Sequence, residues 1–451
     1  MRMPSSLARF SALRHRDFRL YWIGFVVSIS GQQMLWMVQP WLIYELSGSK
    51  VYLGVNALAQ AVPATALALL GGVIADKFDQ RKLLIGMQGI YIALLGVLAT
   101  LALTELLAVW HIFVVSFIHS GVSSFENPAR QSMFPHLVDR EAMPNAVAMN
   151  SSIHPATRIF APGLGGLILA GALAVTDSPR VAGGTVLLLA IAGVAVYALM
   201  LMRVHLPPVK RSRGGTMLSD IAAGTKFIWR NRIFAHLIGM AYYNMFFGLS
   251  LGVLFPVVAK DILEVGPFWV GMMWTSTGVG SLAGVFIAAT LANPRLQHRL
   301  MVGGSVTLGL SMVLFAMSTM VILSLALSLA LLFVLGAGAS AVNVATQANL
   351  QMMVPNDFRG RVLGIWSLVH TSVRPAGEMQ LTGIAALVGA PVALALSGAM
   401  VVVFAVFFVG PNRTLRALPD LREAAAAVAA AAEDAAPRAS VTPSAKGSAA
   451  P

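Results

Sequence analysis

"SIHPATRIF" (Ser152 to Phe160) and "LVHTSVRPA" (Leu368 to Ala376) each place His-x-x-x-Arg inside an otherwise apolar run, as His154/Arg158 and His370/Arg374, 216 residues apart. An arginine at the centre of a bilayer costs about 2.5–3.5 kcal/mol on insertion scales, so its repetition at matching places needs a reason. Slid on itself by 216 residues, the chain overlays Ser124–Arg158 on Ser340–Arg374 without a gap, and eight of the 35 positions are identical. They are Ser124, Asn127, Ala129, Gln131, Val138, Ser151, His154 and Arg158, matched by Ser340, Asn343, Ala345, Gln347, Val354, Ser367, His370 and Arg374. Upstream, a shift of 217 sets Gly54 on Gly271 and Asp76 on Asn293. The pattern predicts an internal duplication in parallel orientation.

The chain has 451 residues, 57% hydrophobic and 11% charged, against about 25% charged in a soluble domain. Apolar runs near the roughly 20 residues needed to span a bilayer recur end to end. They predict an all-α polytopic membrane protein with twelve transmembrane helices in two parallel six-helix repeats. The spans are expected near 20–44, 51–75, 83–104, 106–125, 145–173, 182–202, 234–258, 267–292, 300–320, 323–345, 361–387 and 390–410. Residues 1–203 and 233–410 would form the two halves, 204–232 a cytoplasmic linker and 411–451 a cytoplasmic tail. In the linker, Thr216–Trp229 is expected to form an amphipathic surface helix. The tail is rich in Ala, Pro and Ser, and beyond a short helix over Leu421–Asp434 it is expected to be disordered.

Charge placement predicts orientation. Twenty-six of the 31 Lys and Arg fall on the side that holds both termini, three (Lys50, Arg180, Lys260) on the other, and Arg158 and Arg374 within spans. Both termini are therefore expected in the cytoplasm. The net charge of +13 is a topology signal facing anionic lipid, and a nucleic-acid partner is not expected. Trp22, Trp41, Trp110, Trp229, Trp269 and Trp366 fall near span ends, as an aromatic belt requires. The absence of cysteine excludes disulfides, thiolate metal sites and thiol nucleophiles. Leu20–Tyr44 is too long for a signal-peptide core and reads as a retained first span. Arg outnumbers Lys 24 to 7, which points to a GC-rich bacterial genome and hence to a bacterial inner membrane.

"GGVIADKFDQRK" (Gly71 to Lys82) lies between spans 2 and 3 and resembles the signature loop of the major facilitator superfamily. Gly72, Asp76, Lys77, Arg81 and Lys82 fit the family pattern, whereas Asp79 replaces its second glycine and Gln80 a basic residue. With "FRLYWIGFVVSISGQQM", "ENPARQSMFPHLVDREAMPNAVAMNS" and "VPNDFRGRVLGIWSL", the chain resembles the branch containing enterobactin and macrolide exporters over about residues 14–410. Six-plus-six parallel repeats suggest a rocker-type transporter with substrate held between the halves, and a monomer with a small-molecule substrate is expected. The resemblance implies a cytoplasmic latch in which Asp76 meets the start of span 11, near Arg359 and Arg361. The second-half loop "ANPRLQHR" has Asn293 in place of that acid. "RIFAPGLGG" resembles the exporter motif of span 5, where Pro162, Gly163, Gly165 and Gly166 would bend the helix and allow close approach.

"GLSLG" (Gly248 to Gly252) matches a serine-hydrolase elbow only as a string, since it lies mid-span without a preceding strand. No catalytic constellation, metal site, cofactor motif or nucleotide loop is present, so an enzyme is not expected and transport must draw on a gradient or run downhill. Arg158 and Arg374 each lie about 20 Å into their spans at 1.5 Å per residue, with His154 and His370 on the same faces. They are candidates to attract an anionic or electron-rich substrate group, or alternatively to bond neighbouring helices. Glu378, one turn beyond Arg374, is the one carboxylate deep in a span and the candidate proton-coupling group, with Glu126 second. Gln33, Trp36 and Met37 on span 1 and Tyr243, Asn244 and Phe247 on span 7 are candidate substrate contacts. The expected function is proton-coupled export of a small amphipathic organic compound. An importer or facilitator of an organic anion and a non-transporting polytopic sensor or scaffold are the alternatives. Reporter fusions test the topology: a fluorescent protein at either terminus should fluoresce, and a phosphatase at either should be inactive. An active phosphatase at one end would overturn the orientation.

Overall fold

The computed structural model describes residues 11–77, 79–205, 217–291 and 293–418, without the side chains at 68–77, 217–222, 294, 356, 357, 359, 360 and 367–371. The expected tail helix over Leu421–Asp434 lies outside the described residues. Helix without any strand makes up the regular structure among the described residues. The first group of helices is α1 (Arg16–Ser47), α2 (Lys50–Lys77), α3 (Gln80–Leu103), α4 (Val109–Met133), α5 (Met143–Thr176) and α6 (Pro179–Met202). A linker helix, Met217–Arg230, follows. The second group is α7 (Arg232–Ile262), α8 (Pro267–Thr290), α9 (Pro294–Met317), α10 (Leu325–Met353), α11 (Asn356–Val388) and α12 (Ala390–Val409). Eight of them, α3, α5 to α10 and α12, are long and apolar enough to cross a membrane.

The sequence explains where the helices stop and which are less apolar. Helix α1 ends at Gly48, whose φ of 63° is a left-handed conformation that glycine adopts without a Cβ clash. Asp79, Ser178 and Ser324 cap the starts of α3, α6 and α10 by accepting from backbone N–H groups three residues on, satisfying one of the donors every helix start leaves open. Helices α1 and α4 are of comparable length but interrupt their apolar runs with Gln32, Gln33 and Gln39, and with His119 and Glu126. Such residues are tolerated where a helix faces protein or a wet cavity instead of lipid. Helix α7 departs from regular α geometry, with π turns at Asn244–Gly248 and Val258–Ile262 around a 3-10 stretch at Leu249–Leu254.

Packing within the two groups corresponds. In the first, α2 packs on α4 and α3 on α6; in the second, α8 packs on α10 and α9 on α12. Between the groups the main seams are α5 against α8 and α2 against α11, and the linker helix lies on α11. The hydrophobic core is divided unequally. At the end carrying Tyr44 and Ala259, one continuous core joins Leu42, Val186, Phe255, Trp274 and Leu394 from both groups. At the opposite end it splits into one core around Tyr21, Phe25 and Tyr197, and another around Phe234, Met301 and Val362. The groups are fused at one end and separate at the other.

The α5–α8 seam depends on backbone contact. A Cβ on Gly271 would lie 2.5 Å from the Pro162 carbonyl oxygen, closer than any side chain tolerates. Gly271→Ala should therefore push the helices apart and destabilise the protein by about 1–3 kcal/mol, seen as a lower melting temperature of the detergent-purified chain. An unchanged melting temperature would show that the seam is loosely packed.

Candidate functional site

Helix α11 carries Arg374 and Glu378 one turn apart, on one face. The Arg374 Nε donates to Glu378 Oε1 at 2.9 Å, with side chains 21% and 16% exposed. The guanidinium carbon lies 5.5 Å from the ring centroid of Trp36 on α1 and 5.7 Å from that of Trp274 on α8. A cation facing two indole rings gains electrostatic attraction that grows as water is excluded. The seat is built by small residues. A Cβ on Gly252 of α7 would strike the Trp274 ring, and the buried Ser250 places its hydroxyl 3.3 Å from the Arg374 carbonyl oxygen. One carboxylate, one guanidinium and two indoles thus converge from α1, α8 and α11, across both groups of helices.

Arg158, on α5, is half-buried. It interacts electrostatically with Arg374, which brings the two sequence-related arginines into one region. Among the described residues Arg158 has no hydrogen-bond or ion-pair partner. Pro162 takes the place one turn on, where Glu378 serves Arg374. Among the described residues, two cations and one carboxylate leave this region with an excess of positive charge.

The other expected residues take separate places. His154 packs edge-on to Phe25 at 5.9 Å, near Arg130. Arg130 stacks over Phe25 at 4.3 Å and pairs with Glu126 at 3.0 Å. The His370 side chain lies outside the described residues. Gln33 and Met37 are buried at 5% and 1% exposure, and Met37 belongs to the shared core. Tyr243 stacks on Phe404 at 3.9 Å and meets Phe247 at 4.6 Å with the rings tilted by 39°. The Asn244 amide nitrogen donates to the Met240 carbonyl at 2.9 Å, while its Oδ1 is buried without a partner.

Of the expected latch, the side chains of Gly72, Asp76, Lys77 and Arg359 lie outside the described residues. The Arg81 Nε donates to the Leu201 carbonyl at 2.8 Å, tying α3 to α6 within one group. Lys82 is exposed, and its backbone N–H is held by Asp79 at 3.0 Å. Arg361 lies 5.5 Å from the Phe358 ring, beside Gly224 of the linker helix. Pro162, Gly163 and Gly166 pack against α8, and Gly165 against Met34 of α1. Helix α5 runs unbroken through them from Met143 to Thr176.

Two contacts at the fused end were not anticipated. The Tyr44 hydroxyl of α1 donates to Asp261 of α7, and the Lys260 Nζ donates to Glu45 Oε2 at 2.7 Å. Neighbours in sequence on one helix thus bond neighbours on the other. Trp274 also escaped sequence reasoning, although its position eight residues inside a span sets it apart from the tryptophans at span ends.

A family model described as "Transmembrane secretion effector" matches residues 7–436. The chain is similar to macrolide efflux protein A of Streptococcus pyogenes, 22% identical over 398 residues that cover 86% of this chain and 94% of the relative. It is similar to the enterobactin exporter EntS of Escherichia coli, 24% identical over 406 residues that cover 88% and 91%. Among solved structures, a variant of the nucleoside transporter NupG has the same fold at TM-score 0.69 and 14% identity, covering 87% of this chain and 99% of that one. The chain belongs to the transmembrane secretion effector family of the major facilitator superfamily, and it is a multi-pass membrane transporter of a small molecule and not an enzyme.

Proposed function

We propose that this transporter exports a small amphipathic organic compound, anionic or electron-rich at one end, in exchange for protons across a bacterial inner membrane. The observation that carries this is the Arg374–Glu378 pair held between Trp36 and Trp274. Substrate and proton compete for one charge network. An anionic group arriving at Arg374 weakens the hold of Arg374 on Glu378 and favours proton uptake by the carboxylate. Departure of the substrate restores the pair and releases the proton. Arg158, without a protein partner among the described residues, supplies the second attraction for the anion.

The proposed architecture is twelve spans in two six-helix halves, 1–203 and 233–410, joined by a cytoplasmic linker at 204–232 and followed by a cytoplasmic tail at 411–451. Support comes from the corresponding packing of the two groups: exchanging them turns the α5–α8 seam into the α11–α2 seam. With both termini in the cytoplasm, the fused end faces outward and the divided end inward, so substrate would enter between the two inner cores. The Tyr44–Asp261 and Glu45–Lys260 bonds then close the outer side. Gly72, Asp76, Lys77, Arg81, Lys82, Arg359 and Arg361 are proposed to close the inner side in the alternate state. A monomer, in contact with membrane lipid, suffices for this cycle.

Proton flux tests the coupling, in liposomes containing the purified protein and a trapped pH dye, challenged with anionic, neutral and cationic amphiphiles. Anions should trigger flux, Glu378→Gln should abolish it, and Arg158→Ala should cost the anion preference about tenfold. If cations or neutral compounds work best and both variants still transport, the arginines only brace the bundle. The outer closure has its own test, which the lack of native cysteine makes clean. Bridging Glu45→Cys and Lys260→Cys with a short, reducible thiol-reactive cross-linker should stop transport, and reduction should restore it. Undiminished transport in the bridged protein would show that this end does not open.

A further inference from the structure

The linker helix, Met217–Arg230, spends one face on the bundle and leaves the other open. Gly224 sits against Arg361 and Ile365 of α11, and Phe227 stacks on Phe358 at 4.3 Å between ring centroids. Ile228 is buried in the core around Phe234. At about 100° per residue the opposite arc carries Thr225, Lys226, Trp229 and Arg230, all exposed. Trp229 is 76% exposed, and Arg232, also exposed, follows at the start of α7. Among the described residues no carboxylate pairs with Lys226, Arg230 or Arg232. An open indole flanked by unpaired cations suits an acidic partner, since Trp and Arg are the side chains most enriched where binding energy concentrates.

The partner with the shortest path to that face is the chain's own continuation. Leu418, the last described residue, is fully buried in the core that holds Ile228 and Phe234, and the turn Arg413–Arg416 packs on the start of α7. Pro419–Asp434 follows in sequence, with the acids Asp420, Glu423, Glu433 and Asp434 and the single base Arg422. The helix expected over Leu421–Asp434 would have Asp420 at its N-cap and Glu423 three residues on, followed by alanines. In such a helix Asp420, Glu423, Ala427, Ala431 and Asp434 share one face, with small residues between two acidic ends. The linker helix has 14 residues, and Leu421–Asp434 matches it, each about 21 Å long. A helix of that length is marginal alone in water and is stabilised by packing on another. Running back from the Arg230 end of the linker helix, it would bring Asp420 and Glu423 to Arg230 and Lys226. Glu433 and Asp434 would approach the basic run Lys210–Arg213 that precedes the linker helix in sequence.

We propose that Pro419–Asp434 docks antiparallel on the face of the linker helix formed by Lys226, Trp229 and Arg230. The linker helix lies on α11 and also touches α2, so it bridges the α2–α11 seam at the divided end. The docked segment adds a second helix to that bridge, where the two cores separate. The inference is independent of the substrate and of the coupling proposed above.

Cross-linking within the purified full-length chain tests the docking, on a background free of native cysteine. Thr225→Cys combined with Ala424→Cys leaves every charge in place and puts the second thiol at the border of the acidic face, whereas Ala429→Cys puts it on the opposite face. In detergent at low salt, a short thiol-reactive cross-linker should join the Thr225→Cys/Ala424→Cys pair about fivefold faster than the Thr225→Cys/Ala429→Cys pair, and about 1 M salt should remove most of that preference. Lys226→Glu should slow the first pair about threefold, and Glu423→Lys in the same chain should restore it, a rescue that a misfolded linker helix would not permit. Equal rates for the two tail positions overturn the docking, as does a charge reversal that has no effect or that its counterpart does not rescue. Nanodiscs of neutral and of anionic phospholipid test the competing occupant. The same preference in both supports the tail. Loss of the preference in anionic nanodiscs alone assigns the face to lipid headgroups and overturns the proposal.

Discussion

A guanidinium in a medium of low polarity must have its charge met, and most of the functional architecture follows from meeting it at Arg374. One carboxylate at 2.9 Å and two indole faces supply the compensation. Taking away one partner of such a pair leaves an uncompensated charge, which is costlier than never having buried the pair. The surrounding residues serve the same end. Gly252 clears space for Trp274, and Ser250, in the 3-10 stretch of α7, reaches the carbonyls of Phe246 and Arg374. The irregular geometry of α7 thus coincides with the place where that helix must accommodate an indole from one side and α11 from the other.

The division of the core sets how the two groups of helices can move. Each of the two cores at the divided end is complete within its own group, so relative rotation leaves both intact. At the fused end the shared core and the glycine-lined α5–α8 seam oppose separation through apolar area and backbone contact. The polar closure adds little to that. Lys260 is about half-exposed, and exposed ion pairs contribute about 0–1 kcal/mol. Modest strength suits the outer closure proposed above, because each 1.4 kcal/mol of extra stabilisation would reduce an open population tenfold.

Much of this was legible in the sequence, for identifiable reasons. Helices declare themselves through long apolar runs, so each expected span falls on a described helix, and eight of those helices are long and apolar enough to cross a membrane. The boundary between α9 and α10 was hardest, because Leu300–Asn356 carries no charge. The structure marks it with Ser324 as a cap and Leu323 at a φ of 51°, a signal of one hydroxyl in an apolar stretch. The Arg374–Glu378 pair could be read because both partners share a helix and i,i+4 spacing suffices. Trp36 and Trp274 as its lateral walls could not be assigned together, since their joining depends on how three helices pack. The same holds for the bonds between α1 and α7. Tyr44 and Glu45 look like ordinary residues at a span end until the partner helix is in place.

Those bonds have the logic of a symmetric dimer. Tyr44 and Asp261 are 217 residues apart, Glu45 and Lys260 215, so the two separations straddle the 216-residue shift that overlays His154/Arg158 on His370/Arg374. Under that shift Lys260 is the counterpart of Tyr44 and Asp261 the counterpart of Glu45. Each residue therefore contacts the counterpart of its neighbour, which is the rule for an isologous interface between identical subunits. Within one chain the two half-contacts are free to differ, and here they do: one is a neutral hydroxyl bonding a carboxylate, the other an ion pair. Salt screens the second far more than the first. The fused end therefore combines a contact sensitive to ionic strength with one largely indifferent to it, an asymmetry that two identical subunits could never carry.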